Sequence, residues 1–241
     1  MILLIESATS VCSVALTHDG QLISFREVNE ANCHAEKLTV FIDEVMKETK
    51  VKFDSLDAVA VSKGPGSYTG LRIGVSAAKG ICYAVNKPLI AIGTLDAIAN
   101  GCRMSDVGRQ KAERATRNDF FIPMIDARRM EVYTAIFDGT GIQLKEVQPL
   151  ILDDATALNE FLSDLRHPTS VIISGDGMPK AKELLSKIPN AIFTDAGICS
   201  AKHLASLAEK KFAEKDFEDL AYFEPFYLKT FHPGPQRSKG E

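Results

Sequence analysis

Several features that would indicate common functions are missing from this 241-residue sequence. No apolar run approaches the roughly 20 residues that a membrane span needs. The opening MILLIESATS is too short for a signal peptide and lacks its basic start. We therefore expect no membrane contact, a cytoplasmic location and a buried first strand.

A surplus of positive charge is also missing. The sequence has 28 Lys and Arg against 32 Asp and Glu, which gives a net charge of −4. Proteins that bind nucleic acid over many phosphates usually carry net positive charge, because phosphate contacts supply most of the affinity. Direct, tight RNA or DNA binding is therefore not expected. A basic stretch at 103–117 is interrupted by acidic residues and is interpreted as a solvated linker.

Motifs for metals and nucleophiles are absent as well. The five cysteines have no C-x-x-C spacing, which argues against a zinc ribbon or a disulfide framework. No two of the five histidines lie within five residues of each other, so local two-histidine motifs are excluded. The nucleophile elbow G-x-S-x-G is missing too. The sequence therefore carries no local metal motif and no nucleophile elbow.

The sequence does contain alternating strand and helix patterns. An alternating apolar pattern breaks at Asp19-Gly20, a strong hairpin signal, so three strands are expected at the start. Apolar periodicity then predicts helices from about His34 to Lys50 and from about Ser67 to Asn86, each followed by a buried strand. A partial repeat begins at FFIPMIDARRMEVY. This order predicts an α/β, two-lobed actin-like (ribonuclease-H-like) fold, in which each lobe is a mixed sheet with β-β-β-α-β-α-β order.

The polar, charged segment near residues 100–118 is where we place the boundary between the lobes. The first lobe is expected at residues 1–104 and includes the partner-binding helices. The second is expected at 105–241, and its tail from about 220 is expected to pack back on the first lobe.

The stretch SKGPGSYTGLRIGVSAAKG joins a glycine turn to the second helix. The free N–H groups and the partial positive charge at a helix N-terminus attract anions. However, the spacing is not that of a P-loop, and Lys63 precedes the glycines. Two interpretations stay open: a phosphate-binding turn, or a tight turn whose helix is capped by Ser67.

Small residues continue into this helix at Gly70, Gly74, Ala77 and Ala78. Each glycine costs about 1 kcal/mol relative to alanine inside a helix, so its presence needs a reason. Small residues four positions apart let another helix approach closely. The neighbour is either the first helix of the same chain or a partner protein.

Two polar groups have alternative interpretations. Glu6 has the position at which actin-like kinases place an acid that holds a metal-bound water, but a structural hydrogen-bonding role fits equally. The polar residues of the segment IDARRMEVY form either a surface ion-pair set or one wall of a cleft between the lobes; they are Asp126, Arg128, Arg129, Glu131 and Tyr133.

Four segments resemble the TsaB (YeaZ) family of bacterial tRNA threonylcarbamoyladenosine biosynthesis proteins. They are LLIESATSVCSVAL, HAEKL, LDAVAVSKGPGSYTGLRIGVSAAKGICYAVNKPLIAIGTLDAIA and IDARRMEVY. The resemblance implies a required but non-catalytic partner of TsaD, with no catalytic residue, no metal and no cofactor of its own. TsaD carries the catalytic metal, and the small ATPase TsaE joins them. The assembly forms N6-threonylcarbamoyladenosine next to the anticodon of tRNAs reading codons that begin with A.

The resemblance also implies which residues do what. The two helices would bind TsaD, or a second copy of this chain in its absence, while tRNA would be contacted only through the complex. The implied interface positions are His34, Lys37, Leu38, Phe41, Gly70, Arg72, Gly74, Val75, Ala78 and Lys79. The implied vestigial phosphate-loop positions are Glu6, Ser7, Gly64, Gly66 and Ser67.

This sequence departs from the resembled patterns at two places. The Asp-Thr-Ser usual after the family's first strand is Glu6-Ser7-Ala8 here. The two-histidine metal motif of TsaD falls at about Thr94 and Ile98, and neither replaces a histidine ligand well. The alternative function is an autonomous actin-like ATPase or small-molecule kinase, which Glu6 and the glycine turns favour; no motif supports a peptidase.

Overall fold

The computed structural model describes residues 1–105, 119–163, 165 and 168–229. In the first lobe, five strands form one sheet in the order β3-β2-β1-β4-β5. Their bounds are Ile2–Glu6 (β1), Val11–His18 (β2), Gln21–Asn29 (β3), Ala58–Gly64 (β4) and Leu89–Gly93 (β5). Strand β1 is antiparallel to β2 and parallel to β4, so the sheet is mixed. The predicted hairpin turn is confirmed at Asp19 and Gly20, which both have positive φ.

Helices connect these strands and cover the sheet. They are α1 (His34–Thr49), a 3-10 helix (Phe53–Ser55), α2 (Tyr68–Val85) and α3 (Thr94–Met104). In α1, buried Leu38, Ile42, Val45 and Met46 recur at helical spacing, which turns one apolar face of the helix to the sheet. Helix α2 begins after the cap Ser67 and ends at Asn86, as predicted.

The second lobe repeats the order. Its strands are Asp119–Asp126 (β6), Glu131–Asp138 (β7), Gln143–Ile151 (β8), Ser170–Ser174 (β9) and Ala191–Thr194 (β10). They form a sheet in the order β10-β9-β6-β7-β8. Helices α4 (Ala155–Leu162) and α5 (Met178–Leu185) precede β9 and β10. The β-β-β-α-β-α-β order therefore occurs in both lobes, and the predicted fold class is confirmed.

The chain then returns to the first lobe. A 3-10 helix (Ala201–Leu204) and α6 (Ala205–Glu214) pack on the first sheet through Ala201, Leu204, Ala205 and Ala208. Their partners include Ile2 and Leu4, whereas Leu3 and Ile5 point to α1 and α2 on the opposite face. Alternate residues of a strand face opposite sides of the sheet. Because helices cover both sides of this sheet, every residue of β1 is buried. The return begins about 20 residues before the expected position near 220.

Helix α3 joins the two lobes. Its Leu95, Ile98 and Cys102 share one apolar cluster with residues of β6, β7 and β9, including Phe121 and Ile172. Residues 100–104 of the predicted linker belong to α3, which is a correction to that prediction. The rest of the predicted linker, at 106–118, lies outside the described residues.

Candidate functional site

The acid at the end of β1 is enclosed. Glu6 has no exposed surface; its Oε1 accepts a hydrogen bond from the Ala8 N–H at 2.7 Å, and its Oε2 accepts one from the Ser62 hydroxyl. Burial raises the pKa of Glu6 from 4.5 to about 7, although these hydrogen bonds favour the charged form. These contacts favour the structural interpretation of the Glu6 carboxyl.

The glycine turn is packed against its own chain. A Cβ on Gly66 would lie 2.3 Å from the Ala8 carbonyl oxygen, and one on Gly64, whose φ is 115°, would lie 2.5 Å from the Phe226 carbonyl oxygen. The Ser67 N–H donates to the Ala8 carbonyl at 2.6 Å, and the Ser67 Oγ accepts from the Gly70 N–H. Both polar groups of Ser67 are thus used within the chain, which favours the capped-turn interpretation.

The glycines in the first half of α2 have an intrachain neighbour that neither sequence interpretation named. A Cβ on Gly70 would lie 2.1 Å from the Ser7 carbonyl oxygen, and one on Gly74 would lie 2.1 Å from Ser7 Oγ. The Ser7 hydroxyl also donates to the Gly70 carbonyl at 2.9 Å. The neighbour of Gly70 and Gly74 is therefore the turn after β1, and both glycines permit this close contact.

A different set of small residues lies on the outer side of α2. Ser76, Gly80 and Ala84 follow one another at four-residue spacing, and all three are exposed. Within the part of the chain that the structure describes, a Cβ on Gly80 would meet nothing within 4 Å. Half-buried Ile73 and Ile81 lie beside this stripe and pack partly on the core. The open, small-residue side of α2 is thus the side that a partner helix could approach closely.

The ten predicted interface residues divide into two groups. Six are enclosed by their own lobe: His34, Leu38, Gly70, Gly74, Val75 and Ala78. The remaining four reach the surface fully or in part: Lys37, Phe41, Arg72 and Lys79. The Arg72 guanidinium donates to the Tyr68 hydroxyl, and the Lys79 ammonium donates to the Phe223 carbonyl at 2.9 Å. Contact of these positions with a partner stays a prediction.

The positions aligned with the TsaD metal motif are sealed. Thr94 and Ile98 have no exposed surface, and Ile98 lies in the apolar cluster between the lobes. The Thr94 hydroxyl oxygen has no hydrogen-bond partner in the described part of the chain. Across residues 1–105, 119–163, 165 and 168–229, no group of three or more His, Cys, Asp or Glu side chains is arranged to hold a metal ion.

A cleft of about 520 Å³ separates the lobes. The turn after β1 and the start of α2 line it from the first lobe, and Asp126, Arg128, Tyr133 and Asp176 line it from the second. The segment IDARRMEVY therefore faces the cleft in part. Its acids pair with lysines from elsewhere in the chain rather than with the neighbouring arginines: Asp126 with Lys180, and Glu131 with Lys229.

Sequence reasoning did not find several of these cleft residues. Asp176 accepts a hydrogen bond from the Asp126 N–H, and burial raises its pKa. Its signal was the SGDG turn directly after β9, which matches the position of the first-lobe turn after β4. Tyr227 and Lys229 come from the tail, which was expected to pack on the first lobe but not to line the cleft.

No helix in the described part of the chain is both long and apolar enough to cross a membrane.

Comparisons with known proteins point to one process. The family model described as "TsaD: tRNA N6-adenosine threonylcarbamoyltransferase" matches residues 29–232. The tRNA threonylcarbamoyladenosine biosynthesis protein TsaB of Escherichia coli is 28% identical over 95% of this chain and 94% of its own length. The protein of that name from Haemophilus influenzae is 25% identical, over 95% of this chain and 93% of its own length. A solved structure, YeaZ from Pseudomonas aeruginosa, shares the fold with a TM-score of 0.77 and 24% identity, covering 94% of this chain and 99% of that one.

Proposed function

The chain belongs to the TsaD family, tRNA N6-adenosine threonylcarbamoyltransferase, and from this premise we propose that it works in the biosynthesis of threonylcarbamoyladenosine in tRNA. Its likeness to TsaB proteins extends over nearly the full length of both chains, which supports a subunit of the biosynthetic complex. The proposed product is N6-threonylcarbamoyladenosine next to the anticodon of tRNAs that read codons beginning with A. The proposed place of work is the cytoplasm.

Within this complex, the chain's proposed role is that of a non-catalytic partner of TsaD, joined by TsaE. The observation that carries this role is the enclosed Glu6, whose two carboxyl oxygens accept bonds from its own chain. A carboxyl in that state does not reach a metal-bound water in the cleft. The buried Thr94 and Ile98 support the same role, because neither side chain is a good metal ligand.

The proposed contact surface is the outer side of α1 and α2. Gly80 supports it most directly, because a glycine in the middle of a helix costs about 1 kcal/mol relative to alanine. The described residues provide no close contact that would explain this glycine. Exposed Val40 of α1 adds apolar area to the surface. When TsaD is absent, the same surface is proposed to form a homodimer, and tRNA is proposed to be contacted only through the complex.

Reconstitution tests this role. Purified TsaD and TsaE from the same organism, with ATP, threonine-derived threonylcarbamoyl adenylate and unmodified tRNA, are assayed for the modified nucleoside with and without this chain. We expect product only when the chain is present. We also expect Glu6→Gln to retain full activity, because the carboxyl has no chemical task. Loss of activity in a folded Glu6→Gln protein would contradict the non-catalytic role.

A second candidate function, an autonomous ATPase or small-molecule kinase, is favoured by the 520 Å³ cleft between the lobes. It requires the isolated chain to bind magnesium ATP. Calorimetry at millimolar ATP separates the two functions: no heat of binding dismisses the kinase, and stoichiometric binding with turnover replaces the scaffold role.

A further inference from the structure

The last described segment of the chain crosses from one lobe to the other. We define residues 216–229 as the strap. It begins beside the free edge of the first sheet, where the Glu218 N–H donates to the Leu89 carbonyl at 2.9 Å. It ends at Lys229, which pairs with Glu131 on β7 of the second lobe. The strap thus spans the cleft.

The strap is held firmly on the first lobe. The Phe226 N–H donates to the Lys63 carbonyl at 2.7 Å, and the Lys79 ammonium donates to the Phe223 carbonyl. The Phe226 carbonyl lies so close to Gly64 that it leaves no room for a Cβ there. Backbone hydrogen bonds and close packing fix this half of the strap to β4 and α2.

The strap also forms one wall of the cleft. The ring of Tyr227 lies on that of Tyr68, at the start of α2, with 4.7 Å between the ring centroids. Tyr227, Leu228 and Lys229 line the cleft opposite Arg128 and Tyr133 of the second lobe. Movement of the strap end relative to the second lobe would therefore change the opening of the cleft.

The attachment to the second lobe is of a different kind. The Lys229 and Glu131 side chains are 44% and 16% exposed. Ion pairs at such exposure change an equilibrium by at most about fivefold and weaken in salt. We propose that the strap is a latch: it is carried by the first lobe, and its Lys229–Glu131 pair favours the closed cleft without locking it.

The test measures the distance between the lobes. Spin labels are placed on α1 and α5 through Thr39→Cys and Glu183→Cys, both at exposed positions. The five native cysteines are buried, so labelling is restricted to the two introduced thiols. Pulsed electron resonance on the full chain then gives the interlobe distance distribution, and hydrogen exchange gives the protection of the Phe226 amide.

We expect a single, narrow distance in the parent protein and a broader, longer one in Lys229→Glu, because the pair becomes repulsive. Glu131→Lys should have the same effect, and the double variant, with the charges exchanged, should restore the parent distribution. The Phe226 amide should stay protected throughout, since the anchor on the first lobe is untouched. Raising the salt to 1 M should move the parent distribution towards that of Lys229→Glu.

Lys47→Ala is the matched control, because it removes an exposed ion pair within α1, with Asp43, and should leave the distance unchanged. Three results would overturn the latch. One is an unchanged interlobe distance in Lys229→Glu. Another is failure of the charge exchange to restore the parent distribution. The third is loss of Phe226 protection along with the distance change, which would mean that the strap detaches from the first lobe instead.

Discussion

At the residue scale, the polar groups in and beside the turn after β1 form hydrogen bonds within the chain. Glu6 bonds to Ala8 of its own turn and to Ser62 of β4. Ser7 bonds to Gly70 of α2, and Ser67 bonds to Ala8. The glycines at 66, 70 and 74 permit these close contacts. A buried polar group that lacks a partner is costly, so full internal pairing stabilises this arrangement. These contacts favour a structural role for the turn, and the vestigial phosphate-loop assignment stays a prediction.

The buried carboxyl makes a prediction about pH. Because its pKa is raised to about 7 in the folded protein, Glu6 contributes stability that is fully present below pH 4.5 and is lost as the pH rises through 7. Glu6→Gln should remove this loss. The free energy of unfolding of the variant, taken relative to that of the parent, should therefore rise by about 2 kcal/mol from pH 5 to pH 8. Urea unfolding of the parent and of the variant at pH 5 and at pH 8 measures this difference in stability.

Glu36→Gln on the surface of α1 is the control for this experiment and should behave like the parent at both pH values. If the difference in the free energy of unfolding between Glu6→Gln and the parent is the same at pH 5 and pH 8, the pKa of Glu6 is not raised and the prediction is wrong.

Two glycines of α2 provide a paired prediction. Gly70→Ala places a methyl 2.1 Å from the Ser7 carbonyl oxygen, so it should destabilise the fold by about 1–3 kcal/mol in spite of alanine's better helix propensity. Gly80→Ala meets open space and should stabilise it by about 0.5–1 kcal/mol. Thermal unfolding should show a lower melting temperature for Gly70→Ala and a higher one for Gly80→Ala than for the parent. Equal changes in melting temperature would refute the distinction between the buried and open sides of α2.

At the scale of elements, much of the first lobe could be predicted from the sequence. Helix α1 has one side on the core and one in water, so its apolar period is plain. The β2–β3 hairpin could be predicted from its Asp19-Gly20 turn signal. Helix α3 was missed because the two lobes enclose it: from Thr94 to Cys102 every residue except Asp96 is buried, which removes the contrast between faces. Its polar end at 103–105 resembled the linker that follows.

Helix α4 was implied by the predicted strand order but was not located in the sequence, although it carried a start signal. The Asp154 carboxylate accepts hydrogen bonds from the Thr156 and Ala157 N–H groups at 2.9 and 3.0 Å. Asp154→Ala should therefore destabilise the protein by about 1 kcal/mol. Asp153→Ala, at the neighbouring exposed position, is the control and should change stability little. Chemical denaturation compares the two, and equal effects would exclude a capping role for Asp154.

The predicted partner contacts could not be placed by spacing alone. The small residues of α2 occupy two sides of the helix: Gly70 and Gly74 inward, Ser76, Gly80 and Ala84 outward. Sequence spacing shows that such stripes exist but does not say which one the chain's own loops fill. The close contact with Ser7 decides it, and this contact depends on the backbone path after β1.

At the scale of the whole molecule, the chain ties its lobes together by two routes. Helix α3 packs into the second lobe, while the segment after residue 200 returns to the first sheet and continues into the strap. From the sequence we expected this return only from about residue 220. Its earlier part, from Ala201 to Ala208, was not expected there, because contact between distant parts of the chain leaves no local period. Helix α3 and the returning segment therefore connect the two lobes.

The outer surface of α2 is the centre of the account, and mass in solution tests it most directly. Light scattering is measured on this chain mixed with TsaD from the same organism, for the parent, for Gly80→Arg and for Glu183→Arg on the second lobe. Gly80→Arg points into open space and should leave thermal stability intact. We expect the mass of a one-to-one heterodimer with TsaD for the parent and for Glu183→Arg. For Gly80→Arg we expect no heterodimer with TsaD. A heterodimer that survives Gly80→Arg, or a parent that never joins TsaD, would contradict the account.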